Sequence, residues 1–170
     1  RQRQMCIRDS FKIDRDTDGA LRNQVYLLGH FALPSSDHCI KLDINLDGAK
    51  YFIAPITNIW GTTNNIVTKN GSLNNSQAKA NQDGTYTFIL SVNDPGGFNW
   101  LDPSGLSEGL LTLRWSGFPN DIVGENLFAK SKVMLISDAL NEITDDQRIS
   151  SEERLNQLQT REESYSWRTD

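Results

Sequence analysis

Two cysteines and two histidines in 170 residues leave little material for metal or thiol chemistry. Neither His30 nor His38 stands in an His-x-His or His-x-x-x-His spacing, so no histidine metal site is expected. Cys39 enters an apolar strand pattern, where a buried, inert thiol is expected; a nucleophile needs an adjacent base and an electropositive setting. No Walker loop, dinucleotide fingerprint or nucleophile elbow is read in the chain, so no cofactor is called for. A surplus of positive charge is also missing. Lys and Arg number 17 against 22 Asp and Glu, and no basic stripe appears, which argues against a nucleic-acid partner. Apolar runs reach only a few residues before Asp, Asn or Lys interrupts them, far short of the roughly 20 that a membrane-spanning helix needs. What remains is long enough for one domain with a packed core.

The first ten residues, Arg-Gln-Arg-Gln-Met-Cys-Ile-Arg-Asp-Ser, show neither alternation nor helical period. One reverse translation of them contains the transposon-end tag used in preparing sequencing libraries. Residues 1–10 are therefore read as translated adapter and set apart from the fold. Residues 11–23 form a polar lead-in, and the natural protein is expected to begin upstream. Cell compartment stays open.

From Val25 onward, short runs rich in β-branched and aromatic residues are separated by Asn, Gly, Asp and Pro clusters, as in an all-β domain. The pattern predicts strands near 24–32, 39–45, 49–58, 85–92, 110–116 and 131–137. Tyr86, Phe88, Leu90 and Val92 alternate with more polar neighbours and should face the core, as should Leu111, Leu113 and Trp115. Val133 to Ile136 is apolar on both faces and predicts a central strand. The polar segment 61–83 is expected to be loop, with at most one edge strand near 76–80. A β domain over 24–137 is followed by a helical extension over 138–170. Ser137 to Ile143 predicts a single turn, and Ser150 with Glu153 forms a capping-box pattern before a longer helix. Leu155, Leu158 and Tyr165 share a stripe that should dock on the sheets, leaving Arg154, Glu162 and Glu163 solvated.

Two constellations carry candidate chemistry. Asp14, Asp16, Asp18 and Gly19 match the opening of a calcium loop, but Val25 stands where the closing Glu belongs, so a solvated turn is expected. The denser one runs Asp94-Pro95-Gly96-Gly97-Phe98-Asn99-Trp100-Leu101-Asp102 and continues to Leu113-Arg114-Trp115. Pro and Gly there shape a tight connection between strands. Asn99 and Asp102 are expected to cap it, and Arg114 to form a bidentate pair with Asp102 or Asp94 over a buried Trp100. The competing expectation is a pocket in which Trp100 stacks on a ligand while Asp94, Asn99, Asp102 and Arg114 orient its polar groups. Such a cluster suits a sugar or a small acid.

At these residues the chain resembles the family catalogued as domain of unknown function 1214. The shared pattern is Asp83-Gly84 entering a strand, Asp94-Pro95-Gly96, Asn99 to Asp102, Gly105 and Gly109, and Arg114-Trp115. Asn58-Ile59-Trp60, Ser72-Leu73-Asn74 and the terminal helix with Arg154, Leu158 and Arg161 agree as well. The chain departs at Pro103-Ser104 and at Leu106, where relatives commonly carry His. The resemblance implies an antiparallel β-sandwich resembling a jelly roll, with a C-terminal helix, closing a longer protein whose preceding domain is often a domain of unknown function 1254. It implies no reaction. The expected role is a non-catalytic ligand-binding or assembly module supporting a missing N-terminal domain. The alternative is a fragment of an enzyme acting on a small molecule or glycan, with acid-base work by Asp94 or Asp102.

Overall fold

A computed structural model describes residues 11–12 and 23–167. Their strands are β1 (Phe11–Lys12), β2 (Gln24–Ala32), β3 (His38–Asn45), β4 (Tyr51–Thr57), β5 (Ser72–Asn74), β6 (Tyr86–Ser91), β7 (Trp100–Leu101), β8 (Glu108–Ser116) and β9 (Phe128–Leu135). Two α-helices follow, α1 (Ile136–Glu142) and α2 (Ser151–Ser166). One sheet has the order β1-β2-β8-β4-β5 and is antiparallel throughout; the other has the order β7-β6-β3-β9. The second is mixed, because the short β7 runs parallel to β6.

Period-two alternation makes this arrangement possible. Leu111, Leu113 and Trp115 of β8 are buried, as their spacing predicts, and Val25 and Leu27 stand opposite Trp115 and Leu113. These side chains share one apolar cluster with Leu42, Phe88 and Leu90 of the other sheet. Phe52 joins the layers, with ring centroids 5.1 Å from Trp115 and 5.7 Å from Phe88. The buried indole of Trp115 donates to the Asn45 carbonyl (3.1 Å), so it enters the core without an orphaned N–H. Gly109 is required by close approach: a Cβ there would lie 2.5 Å from the Thr57 carbonyl oxygen and 2.9 Å from the Phe31 ring.

Several expectations need correction. The edge strand in the polar segment is β5, a few residues before 76–80. β9 starts earlier than predicted and ends at Leu135, and it lies at the edge of its sheet. Its two-sided apolar pattern arises because α1 covers the outer side: Met134 packs with Cys39, Ile89 and Ala139, and Ile136, Leu140 and Ile143 flank them. A helix can therefore produce the apolar signature of a central strand. α1 has seven residues, more than the single turn expected. His38, read as a loop residue, is the first residue of β3.

The α2 prediction holds at its start and fails on its face. Ser150 and Glu153 form both bonds of the capping box. Leu155, however, is 67% exposed, whereas Arg154 is buried at 4% and Arg161 at 5%. Glu162 and Glu163 are exposed as expected. The helix is turned so that two arginines, with half-buried Leu158 and Tyr165, face the protein. Residues 1–10, read as adapter, and Asp14, Asp16 and Asp18, read as a solvated acidic turn, lie outside the described residues.

Candidate functional site

The loop after β6 is shaped locally first. Asp94 accepts the Gly96 N–H on Oδ1 (2.9 Å), and Gly96 takes a positive φ that a side chain would strain. The next residues zip onto the segment preceding α2: Phe98 N–H donates to the Gln147 carbonyl (2.7 Å), and Ile149 N–H to the Gly96 carbonyl (2.9 Å). That pairing delivers α2 to the loop.

Arg154, in the first turns of the helix, closes the joint. Its Nε donates to Asp94 Oδ2 at 2.9 Å and its Nη2 to Asp94 Oδ1 at 3.2 Å, a bidentate fork. Nη1 donates to the Phe98 carbonyl (3.2 Å) and to Gln157 Oε1, and Nη2 also reaches the Gly97 carbonyl. Beneath the guanidinium, 5.2 Å from its centre, lies the ring of Trp100. Trp100 is buried and donates its indole N–H to the Ser91 carbonyl (2.9 Å).

Asn99 is buried and fully occupied. It accepts from Lys79 N–H (2.7 Å) and donates to the Lys79 and Thr87 carbonyls (2.8 and 2.9 Å). Asp102, also buried, accepts from Ser104 N–H (2.7 Å) and pairs with Lys69 Nζ at 3.3 Å. Asn99, Trp100 and Asp102 thus run along β7 at the edge of the second sheet, and Arg154 links Asp94 to Trp100. Arg114 does not join them, contrary to expectation. It leaves the apolar face of β8 as alternation requires, but β8 belongs to the other sheet, whereas the loop follows β6 and includes β7. Its guanidinium stacks 5.4 Å from the Tyr26 ring, its cross-strand neighbour. The partner that pattern reasoning missed is Arg154.

Beside this joint lies a cleft of about 530 Å³ between α2 and the segment around β5. Ligand pockets commonly fall within roughly 300–1,000 Å³. Phe98, Leu73 and Ile149 form apolar wall, and Ser76, Asn156, Thr160 and Ser164 supply amide and hydroxyl groups. Two further lining residues stand out. Arg161 donates Nε to the Ile66 carbonyl (2.6 Å) and Nη2 to Ser72 Oγ (3.2 Å), but meets no carboxylate among the described residues. Burial pushes its guanidinium pKa below the ordinary value. Asn70, only 1% exposed, donates Nδ2 to Gln157 Oε1 (2.9 Å), while its Oδ1 is buried with no hydrogen-bond partner among the described residues.

The other candidate groups are otherwise occupied. Burial, reinforced by Asp138 and Glu142, raises the Cys39 thiol pKa to about 11, which suppresses the thiolate. His30 Nε2 meets Glu108 Oε1 at 2.8 Å, and His38 Nδ1 meets Ser35 Oγ at 2.9 Å. Gly105-Leu106-Ser107-Glu108-Gly109 does spell Gly-x-Ser-x-Gly. It leads from a turn into β8, whereas a nucleophile elbow turns from a strand into a helix.

No protein-family model matches the chain, and no curated protein does. Among solved structures, an uncharacterised protein from Burkholderia cenocepacia is similar, with a TM-score of 0.66 and 21% identity. The match covers 76% of this chain and 35% of that one, so this chain spans about a third of the neighbour's length. A protein from Vibrio parahaemolyticus matches at a TM-score of 0.49 and 18% identity, over 66% of this chain and 30% of that one. The first likeness shows the fold alone. Among the described residues no helix is long and apolar enough to cross a membrane.

Proposed function

We propose that the chain is a non-catalytic, ligand-binding β-sandwich module of jelly-roll type within a longer protein, akin to the family catalogued as domain of unknown function 1214. An N-terminal domain of the same polypeptide is its proposed partner. The ordered motifs from Asp83-Gly84 to Arg161 support the kinship, and two sheets around one apolar cluster support the architecture. The proposed site is the cleft between α2 and β5. In this reading Asp94, Asn99, Trp100 and Asp102 support its wall: Asp94 and Trp100 hold Arg154, which donates to the Phe98 carbonyl, Asn99, the next residue, anchors the chain to Lys79 and Thr87, and Asp102 N–H donates to the Asn70 carbonyl (3.0 Å).

One observation carries the proposal. Arg161, with no countercharge among the described residues, and Asn70, whose Oδ1 has no donor among them, line the same cleft, and buried polar groups are rarely left so. The enzyme alternative loses support because its two carboxylates are engaged. Asp94 accepts from Arg154 and Gly96, and Asp102 from Lys69 and Ser104, so both carboxylates serve to hold neighbouring segments in place.

Thermal melting against a panel of neutral sugars, sugar acids, amino acids and nucleosides tests this on wild type and Thr160→Trp. Thr160 is an exposed helix residue lining the cleft, so the indole should fill the site and leave the fold intact. The expected result is a dose-dependent rise in Tm with one class in wild type only, since a ligand binding the native state stabilises it by mass action. A rise that persists in Thr160→Trp, or none with any class, overturns the reading.

A further inference from the structure

We infer that the cleft under α2 takes a small hydroxylated monocarboxylate, a sugar acid or hydroxy acid, with its carboxylate on Arg161 and a hydroxyl on Asn70. The inference rests on the ligand-binding reading above and adds the chemical class.

The charge comes first. Arg161 is buried, lines the cleft, and has two of its three nitrogens occupied by neutral oxygens, those of Ile66 and Ser72. Its Nη1 makes no hydrogen bond among the described residues. A guanidinium held by neutral acceptors keeps its full charge uncompensated, and a carboxylate is the group that matches its planar fork.

The hydroxyl follows from the direction of the amide network. Arg154 can only donate, so Gln157 must turn Oε1 toward it, and Gln157 Nε2 correspondingly donates to the Phe98 carbonyl (3.3 Å). Asn70 must then present its NH₂ to that same Oε1. Flipping Asn70 would set two oxygens against each other. Its Oδ1 is therefore left to accept, and a ligand hydroxyl is the donor it lacks.

Single charge follows from the far end. Glu153 also lines the cleft, eight residues before Arg161 and so about 12 Å away along the helix. Its carboxylate accepts the Ser150 N–H, which holds its pKa below the usual range and keeps it ionised. An extended diacid would bring its second carboxylate against this one. The amide and hydroxyl groups between suit a polyhydroxylated body, with Leu73 and Phe98 against its C–H face.

Calorimetric titration with three probes tests the inference: glucuronate, glucose, which lacks the carboxylate, and cyclohexanecarboxylate, which lacks the hydroxyls. Glucuronate should bind wild type about tenfold or more tightly than either of the others. Arg161→Gln should remove that advantage, so that the variant binds glucuronate no more tightly than it binds glucose, and Thr160→Trp should abolish binding of all three. If Arg161→Gln fails to fold, the probe ranking on wild type and the Thr160→Trp result decide alone. Glucose binding as tightly as glucuronate would overturn the anion assignment but leave the ligand-binding reading standing. Cyclohexanecarboxylate binding as tightly would overturn the hydroxyl assignment in the same way. No glucuronate binding to wild type overturns the inference. Glucuronate binding that survives Thr160→Trp overturns both the inference and the cleft.

Discussion

Arg154 and Arg161 lie two turns apart on one face of α2 and are equally buried, yet they meet opposite surroundings. Arg154 has a carboxylate fork, two backbone carbonyls, an amide oxygen and an indole beneath it. Arg161 has one carbonyl, one hydroxyl and the Tyr165 ring, 5.5 Å away. The first is what a helix needs to be held in place. The second is weakly matched by its own chain and borders open space. Burial alone does not tell a structural charge from one kept for a ligand; the inventory of partners does.

Substitutions at the two ends sharpen this contrast. The largest expected effect is at the occupied end. Trp100→Ala removes the floor of the Arg154 joint and leaves a cavity, and should cost about 3–5 kcal/mol in urea unfolding. A cost under about 1 kcal/mol would mean that the joint does not hold the helix. Ser150→Ala deletes the side-chain half of the capping box that starts α2 and should cost about 1 kcal/mol, read from the same midpoint shift. Arg114→Met, on the outer face of the first sheet, should cost less than about 1 kcal/mol, since it loses a cation–π contact and, among the described residues, no ion pair. A loss several times larger would restore the pairing that its sequence position suggested. Thr160→Ala, at the open end, should change stability by no more than about 0.5 kcal/mol. A larger loss there would show that the cleft wall is itself part of the folding core.

The sheets were legible because burial in a strand repeats every two residues. Leu111, Leu113 and Trp115 announce their face without reference to anything distant. The same local signal misled at Val133 to Ile136, where a short helix supplied the second apolar surface. It failed on α2 for a different reason. Hydrophobic periodicity counts leucines, and this helix docks through guanidinium groups whose partners, Asp94 and Ser72, lie 60 and 89 residues away in the chain. The loop from Asp94 to Asp102 was correctly singled out as shaped and buried around Trp100. Its arginine was misassigned because Arg114 is near in sequence while Arg154 is near in space. Asn70 carried no signal at all: an unpaired amide oxygen exists only once Gln157 and Arg154 have fixed which way the amide faces.

Unfolding Arg154→Met and Arg161→Met side by side in urea tests the contrast most directly. The first strips Asp94 of its bidentate partner and the Gly97 and Phe98 carbonyls of a charged donor and should cost about 2–4 kcal/mol, less than a fully buried pair because Asp94 is exposed. The second removes a charge that the protein leaves uncompensated, and should cost less than about 1.5 kcal/mol, the loss of hydrogen bonds to Ile66 and Ser72. Equal losses, or a larger loss at Arg161, would mean that both arginines are structural and that the cleft holds no group reserved for a ligand.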